Sequence, residues 1–174
     1  MLARLRHCAD INLLLEVYFA LVYSHLSYCN IIWGKASKTV LKPLNRAHEK
    51  IAKIMTFAPY GTEETIPLFL NLNILNLSQI NKLEKAKFIF KHQNNKLPPS
   101  FDNYFRNTRE IQSRNSRRIA DGNIYSTFGR TCYGQKMIQN EGASIWNNIP
   151  LSIRNVNKLD TFSSNYKKFL LLAG

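Results

Sequence analysis

Apolar residues recur at three- and four-residue spacing over most of the first hundred positions, and a chain patterned this way folds into amphipathic helices. From Ile11 to Leu26 the apolar set is Leu14, Val17, Tyr18, Leu21, Val22 and Leu26. A second pattern spans 39–56 with Val40, Leu41, Leu44, Ala47, Ile51, Ile54 and Met55, and Pro59 with Gly61 ends it. Lys42, Arg46 and Lys53 fall on the opposite face, close to Lys50 and with only Glu49 opposing, so the pattern predicts a basic outer stripe. A third helix is expected to open at Ser78 as its N-cap and to run through Ile80, Leu83, Ala86, Phe88, Ile89 and Phe90. Asn94, Asn95 and the Pro98-Pro99 pair stop it. Between the second and third patterns, 62–70 reads as a short helix capped by Thr62, with Glu63 and Glu64 at its positive end.

The pattern changes after Pro99. Five arginines, Arg106, Arg109, Arg114, Arg117 and Arg118, stand among Asn, Ser and Thr with Ile111 the one large aliphatic, which reads as an exposed loop. Residues 123–128 and 130–133 alternate weakly between glycines and predict short strands, a hairpin at most. Glu141 to Asn148 reads as a short helix carrying Trp146, and Asp160 is the expected cap of a last helix with Phe162, Tyr166, Phe169 and Leu170. The expected fold class is therefore mainly α, a helical bundle with a small late β hairpin and a C-terminal helix. Its regions are 1–99 (helical), 100–140 (Arg-rich loop and β element) and 141–174.

Composition narrows the function classes. In 174 residues, 24 Lys and Arg face 11 acids, a formal charge of +13, while hydrophobic residues make up 45%. That much apolar content excludes wholesale disorder, and the charge points to polyanionic partners. Three cysteines imply no disulfide framework and favour a reducing compartment. No stretch has the length and apolarity of a membrane span. The start, with Arg4 and Arg6, imitates a secretory signal, but Asp10, Asn12 and Glu16 interrupt the apolar region that follows. The expectation is an intracellular chain, in cytoplasm and nucleus, neither secreted nor membrane-bound.

Catalytic motifs are missing from the sequence. Aspartates stand only at 10, 102, 121 and 160, no Gly-rich phosphate loop is followed by Lys-Ser/Thr, and neither a Gly-x-Ser-x-Gly elbow nor a His-Glu-x-x-His helix occurs. His7-Cys8 and the pair His25 and Cys29 have metal-ligand residue types, but neither pair has knuckle spacing, and Cys29 is expected to pack as a small core residue. Tyr18, Tyr23, Tyr28 and Trp33 are expected in the core. For Tyr104, Phe105, Tyr125, Phe128 and Tyr133, stacking on bases beside the arginines and packing as a β patch are equally supported.

Several strings, in order, carry a resemblance. They are Tyr18 to Gly34, ending in Tyr28-Cys29-Asn30 and Trp33-Gly34; the helix Leu44 to Ile54; Leu72 to Leu75 before Ser78-Gln79-Ile80; Leu97-Pro98; Ser113-Arg114-Asn115-Ser116; and Gly142 to Ile153 with Trp146-Asn147 and Pro150. Phe162 and the basic-apolar tail through Leu172 follow. Together they resemble the region C-terminal to the polymerase core in LINE-type non-LTR retrotransposon reverse transcriptases, of the jockey-like and chicken-repeat-like branches. The last string is similar to that family's Trp-Asn-x-Leu-Pro signature, with Ile149 in place of Leu and Ala143 where Pro is common.

The resemblance covers nearly the whole chain and implies a thumb-like helical region. The family's palm carries a Tyr/Phe-Ala-Asp-Asp motif whose carboxylates hold two Mg²⁺. No Asp-Asp occurs here, so by resemblance the chain has no polymerase centre, no catalytic residue and no cofactor of its own, and Mg²⁺ belongs to the palm of a parent RNA-directed DNA polymerase. The expected function is binding of template-primer or element RNA, through phosphates, by Lys42, Arg46, Lys50, Lys53, Arg106, Arg109, Arg114, Arg117 and Arg118. The expected partners are RNA or DNA, the remainder of the parent enzyme and, through apolar surface that the palm would cover, a second copy. The alternative is a decayed element copy, to which a start inside the family segment points, or a domesticated protein-interaction domain.

Overall fold

The computed structural model describes residues 2–59, 64–111, 122–126 and 129–172. It is mainly helical, and it divides into two compact units, residues 1–81 with 169–174, and residues 82–168.

In the first unit α1 (Leu2–Leu5) packs on α2 (Ile11–Val17) and on α5 (Lys38–Met55). Asp10 caps α2, accepting from the Leu13 amide at 3.1 Å. The helix continues through a π-helical stretch, Tyr18–Tyr23, into α3 (Ser24–Ser27). Leu14, Tyr18 and Leu26 are its buried residues, with Val22 half-buried between them. Positions four apart drift by about 40° in an ideal α-helix, and the wider π turns offset that drift, keeping this set on one face.

Ser37 caps α5, whose buried residues are His48, Ala52 and Met55. These meet Leu14, Tyr18, Phe69, Leu72 and Ile74 in one apolar core, with Leu2, Leu5 and Ile51 packed against it. Val40 is exposed, so the buried face of α5 differs from the one its apolar pattern predicts. The reason is Tyr18, whose hydroxyl lies 2.8 Å from His48 Nε2 while the two rings stack at 5.8 Å. A histidine given that partner joins the core, with the Phe69 ring tilted against it at 4.9 Å. Burial pushes the His48 pKa down to about 4 and the Tyr18 hydroxyl well above its usual range, so both groups are neutral at pH 7.

Two helices differ from expectation at their starts. α6 is Ile66–Asn71 and begins after Thr65; of the residues expected at its start, Thr62 and Glu63 lie outside the described residues. α7 (Leu77–Gln93) is capped not by Ser78 but by Asn76: Asn76 Oδ1 accepts from the Gln79 amide and Gln79 Oε1 from the Asn76 amide, both at 2.9 Å. This reciprocal pair satisfies two backbone donors at the start of the helix, in the manner of a capping box.

The Tyr28–Gly34 string forms a polar lock. Cys29 adopts a left-handed conformation (φ 48°) that starts α4 (Asn30–Trp33). Cys29 is consequently exposed, a correction to its expected core position, as Tyr28 is at 76% exposure. Buried Asn30 donates to the Leu26 carbonyl and accepts from Asn81 Nδ2, each at 2.7 Å, while Trp33 Nε1 donates to the Tyr28 carbonyl. A Cβ on Gly34 would overlap Asn81 Nδ2 and lie 2.6 Å from Asn30 O.

In the second unit, Leu83, Ala86, Ile89 and Phe90 of α7 are buried with Trp146 of α10 (Ile138–Asn147) and Phe162 and Tyr166 of α12 (Leu159–Leu172). Phe90 stacks on Phe162 at 4.6 Å, and Trp146 tilts against Phe162 at 5.9 Å. Asp160 lies inside the first turn of α12 rather than before it.

The expected β hairpin is not present among the described residues. Instead Asn107, just before α8 (Thr108–Ile111), pairs with Ile124 in an isolated antiparallel bridge. The other edge of Ile124 is taken by a side chain: Asn147 Oδ1 accepts from its amide at 3.0 Å, and Asn147 Nδ2 donates to its carbonyl at 2.9 Å. That amide completes the pairing a second strand would have made. The second expected strand, 130–133, contributes instead to the helical turn α9 (Cys132–Gln135), where Thr131 Oγ1 accepts from the Gly134 amide. α11 (Leu151–Arg154) follows Pro150, and Arg154 Nε donates to the Ile149 carbonyl while its guanidinium lies over Trp146.

Three outcomes follow from these contacts. Gly34→Ala forces Asn81 away from Asn30 and is expected to cost about 2 kcal/mol, read by urea denaturation. Asn147→Ala strands both backbone groups of buried Ile124, at a cost of about 2–3 kcal/mol. For His48 the folded pKa lies below the unfolded value of 6.5, so its contribution is intact above pH 6.5 and lost as pH falls toward 4. The loss over that window is about 3 kcal/mol, and a His48→Gln variant, uncharged throughout, should lack that part of the pH dependence.

Candidate functional site

Positions 42, 46, 50 and 53 advance by four, four and three residues, so α5 sets their side chains in one stripe along its outer side. Lys42, Arg46 and Lys50 are exposed and Lys53 is half-buried. Burial of His48, Ala52 and Met55 holds that stripe outward.

Next to the stripe, the turn that ends α5 and the end of α1 enclose an open cleft of about 710 Å³. It is lined by Arg6, Arg46, Glu49, Lys50, Lys53, Ile54, Ala58 and Pro59. Four cations thus meet a single carboxylate, and that carboxylate is engaged by an amide: Asn45 Nδ2 donates to Glu49 Oε1 at 2.6 Å. The ion pairs among the described residues are Lys85–Glu141 at 2.7 Å and Lys87–Glu84 at 2.8 Å, both in the second unit. No carboxylate therefore pairs with the cleft's cations among those residues, and their field is available to an anionic ligand.

Of the nine basic residues expected to bind, Arg46, Lys50 and Lys53 come together in this cleft. Lys42 continues the stripe one turn away without lining it. Arg106 and Arg109 are exposed in the second unit, where the Arg106 carbonyl accepts from the Tyr125 amide at 2.8 Å. Arg114, Arg117 and Arg118 lie outside the described residues. Arg6 was not among the expected residues. Its signal was the basic start of the chain, but no sequence pattern connects that start to a helix some forty residues later, and only the packing of α1 on α5 does so.

The aromatics expected beside the arginines separate. Phe105 is buried in a ring cluster with Phe88, Phe101 and Tyr104, and Tyr125 and Tyr133 are exposed; Phe128 lies outside the described residues. Among the described residues no three His, Cys, Asp or Glu side chains come together as a metal site requires, and no helix is long and apolar enough to cross a membrane.

Comparison with known proteins yields no match of the chain to a protein-family model, to a curated protein or to a solved structure.

Proposed function

We propose that the chain is a nucleic-acid-binding module that grips the phosphodiester backbone of RNA or DNA through the cleft beside α5. The observation that supports it is the meeting of Arg6, Arg46, Lys50 and Lys53 around a space of nucleotide dimensions, opposed by one carboxylate. On this reading, which the sequence resemblance to LINE-type reverse transcriptases supports, the module stands C-terminal to a catalytic palm and holds template-primer or element RNA inside the cell, with no polymerase centre of its own. Exposed Leu13, Leu21 and Ile32 on α2 to α4 are, on the same reading, surface for the rest of the parent enzyme or a second copy.

Each phosphate neutralised releases counterions, so log K against log[salt] should fall with a slope of about −3 to −4 for four contacts on duplex DNA. Reversing Lys50 and Lys53 to Glu should weaken binding at least about tenfold and reduce the slope by about two. Fluorescence anisotropy with labelled RNA and DNA measures both, and circular dichroism checks that the helices persist. Absence of binding at low ionic strength overturns the reading. Light scattering tests the second copy, and a monodisperse monomer overturns that part alone.

A further inference from the structure

We infer that the cleft is built for single-stranded nucleic acid, with Phe57 as the platform on which an unpaired base stacks while Arg6, Arg46, Lys50 and Lys53 hold the adjoining phosphates. The inference rests on the binding reading above and adds the strand class to it.

Three helices of the chain end in the same way. After α5, α6 and α7 the backbone turns through one left-handed residue, and the following amide donates back to a carbonyl of the last turn. The three bonds are Ala58 to Lys53, Ile74 to Phe69 and Lys96 to Lys91. This turn favours glycine and tolerates asparagine. Two of the three ends use asparagine, Asn73 (φ 52°) and Asn95 (φ 52°); the end that borders the cleft uses Phe57 (φ 54°). A bulky side chain in that conformation is strained, and the ring gains little core burial in return, because it is 56% exposed.

What the ring does have is a cation on it. The Arg6 guanidinium lies 5.0 Å from the Phe57 centroid, and His7 meets the ring edge-on at 6.1 Å. Arg6 also lines the cleft, so one side chain joins the aromatic surface to the phosphate site. An exposed ring fixed beside a group of cations is the pairing that single-strand binders use, since every base has a face to stack and the backbone supplies the charge. A base already paired in a duplex presents no free face to Phe57.

The left-handed turn supplies a variant in which fold and binding separate. Phe57→Gly relieves the strain and should leave thermal stability equal or higher, with the helical circular dichroism signal unchanged. Anisotropy is read with oligothymidylate of about twelve nucleotides, an abasic phosphodiester of the same length and a duplex of the same length, at low salt. The wild type should bind oligothymidylate about tenfold more tightly than the abasic strand, and Phe57→Gly should bring that ratio to about one. Equal wild-type affinity for oligothymidylate and the abasic strand overturns this inference and leaves the phosphate-binding reading standing, as does a Phe57→Gly variant that keeps the tenfold difference. Loss of stability in Phe57→Gly also overturns it, by showing that the ring serves the packing of α1. Failure of all three probes to bind overturns the binding reading itself.

Discussion

The inward face of α5 is the constraint on which the first unit depends. His48, Ala52 and Met55 are buried against Tyr18, Leu14 and Phe69, and this orientation leaves Arg46, Lys50 and Lys53 on the far side. The polar member of that face matters most. A lone histidine would be costly to bury, but the Tyr18 hydroxyl 2.8 Å from its Nε2 and the neighbouring Tyr18 and Phe69 rings make the position tolerable as long as the imidazole stays neutral. The same contact holds the helix of α2 and α3 against α5, and the π-helical turns beginning at Tyr18 keep that residue in register with Leu14 and Leu26. Core chemistry and cleft chemistry are two sides of one helix.

The strings Tyr28 to Gly34 and Trp146-Asn147 have local physical explanations. Asn30, Trp33 and Gly34 close a buried turn against Asn81, and Gly34 stands where no Cβ fits. Asn147 substitutes for a strand beside Ile124, and Trp146 meets both the Phe162 ring and the Arg154 guanidinium. Residues of this kind are demanded by the fold, because each satisfies buried backbone groups or fills a space of fixed shape. The cations of the cleft, by contrast, stand on the solvent side of α5, where no buried backbone group depends on them.

The helical class, the extent of the helix carrying the stripe (39–56 expected, Lys38–Met55 found) and the common face of Lys42, Arg46, Lys50 and Lys53 were legible from periodicity, which is a property of neighbouring residues. The hairpin was misread because weak alternation around Ile124 signals extended backbone without saying what pairs with it, and the partner proved to be a side chain more than twenty residues away. Cys29 was misplaced for a related reason: its left-handed backbone turns toward solvent a residue whose small apolar side chain is expected inside. Asn76 rather than Ser78 caps α7 because Gln79 can answer an asparagine cap reciprocally, a choice visible only in the bonded pair.

The sequence by itself thus determined the mainly helical class, the extent of the longer helices and where the charge of α5 lies. Only the tertiary structure decided that His48 faces the core, that Arg6 joins Arg46, Lys50 and Lys53 around one cleft, and that an exposed Phe57 stands beside it in a conformation that two other helix ends give to asparagine. The division has a physical cause. Helix formation is set by near neighbours along the chain, whereas the partner of a buried polar group and the convergence of distant cations depend on which helix faces meet.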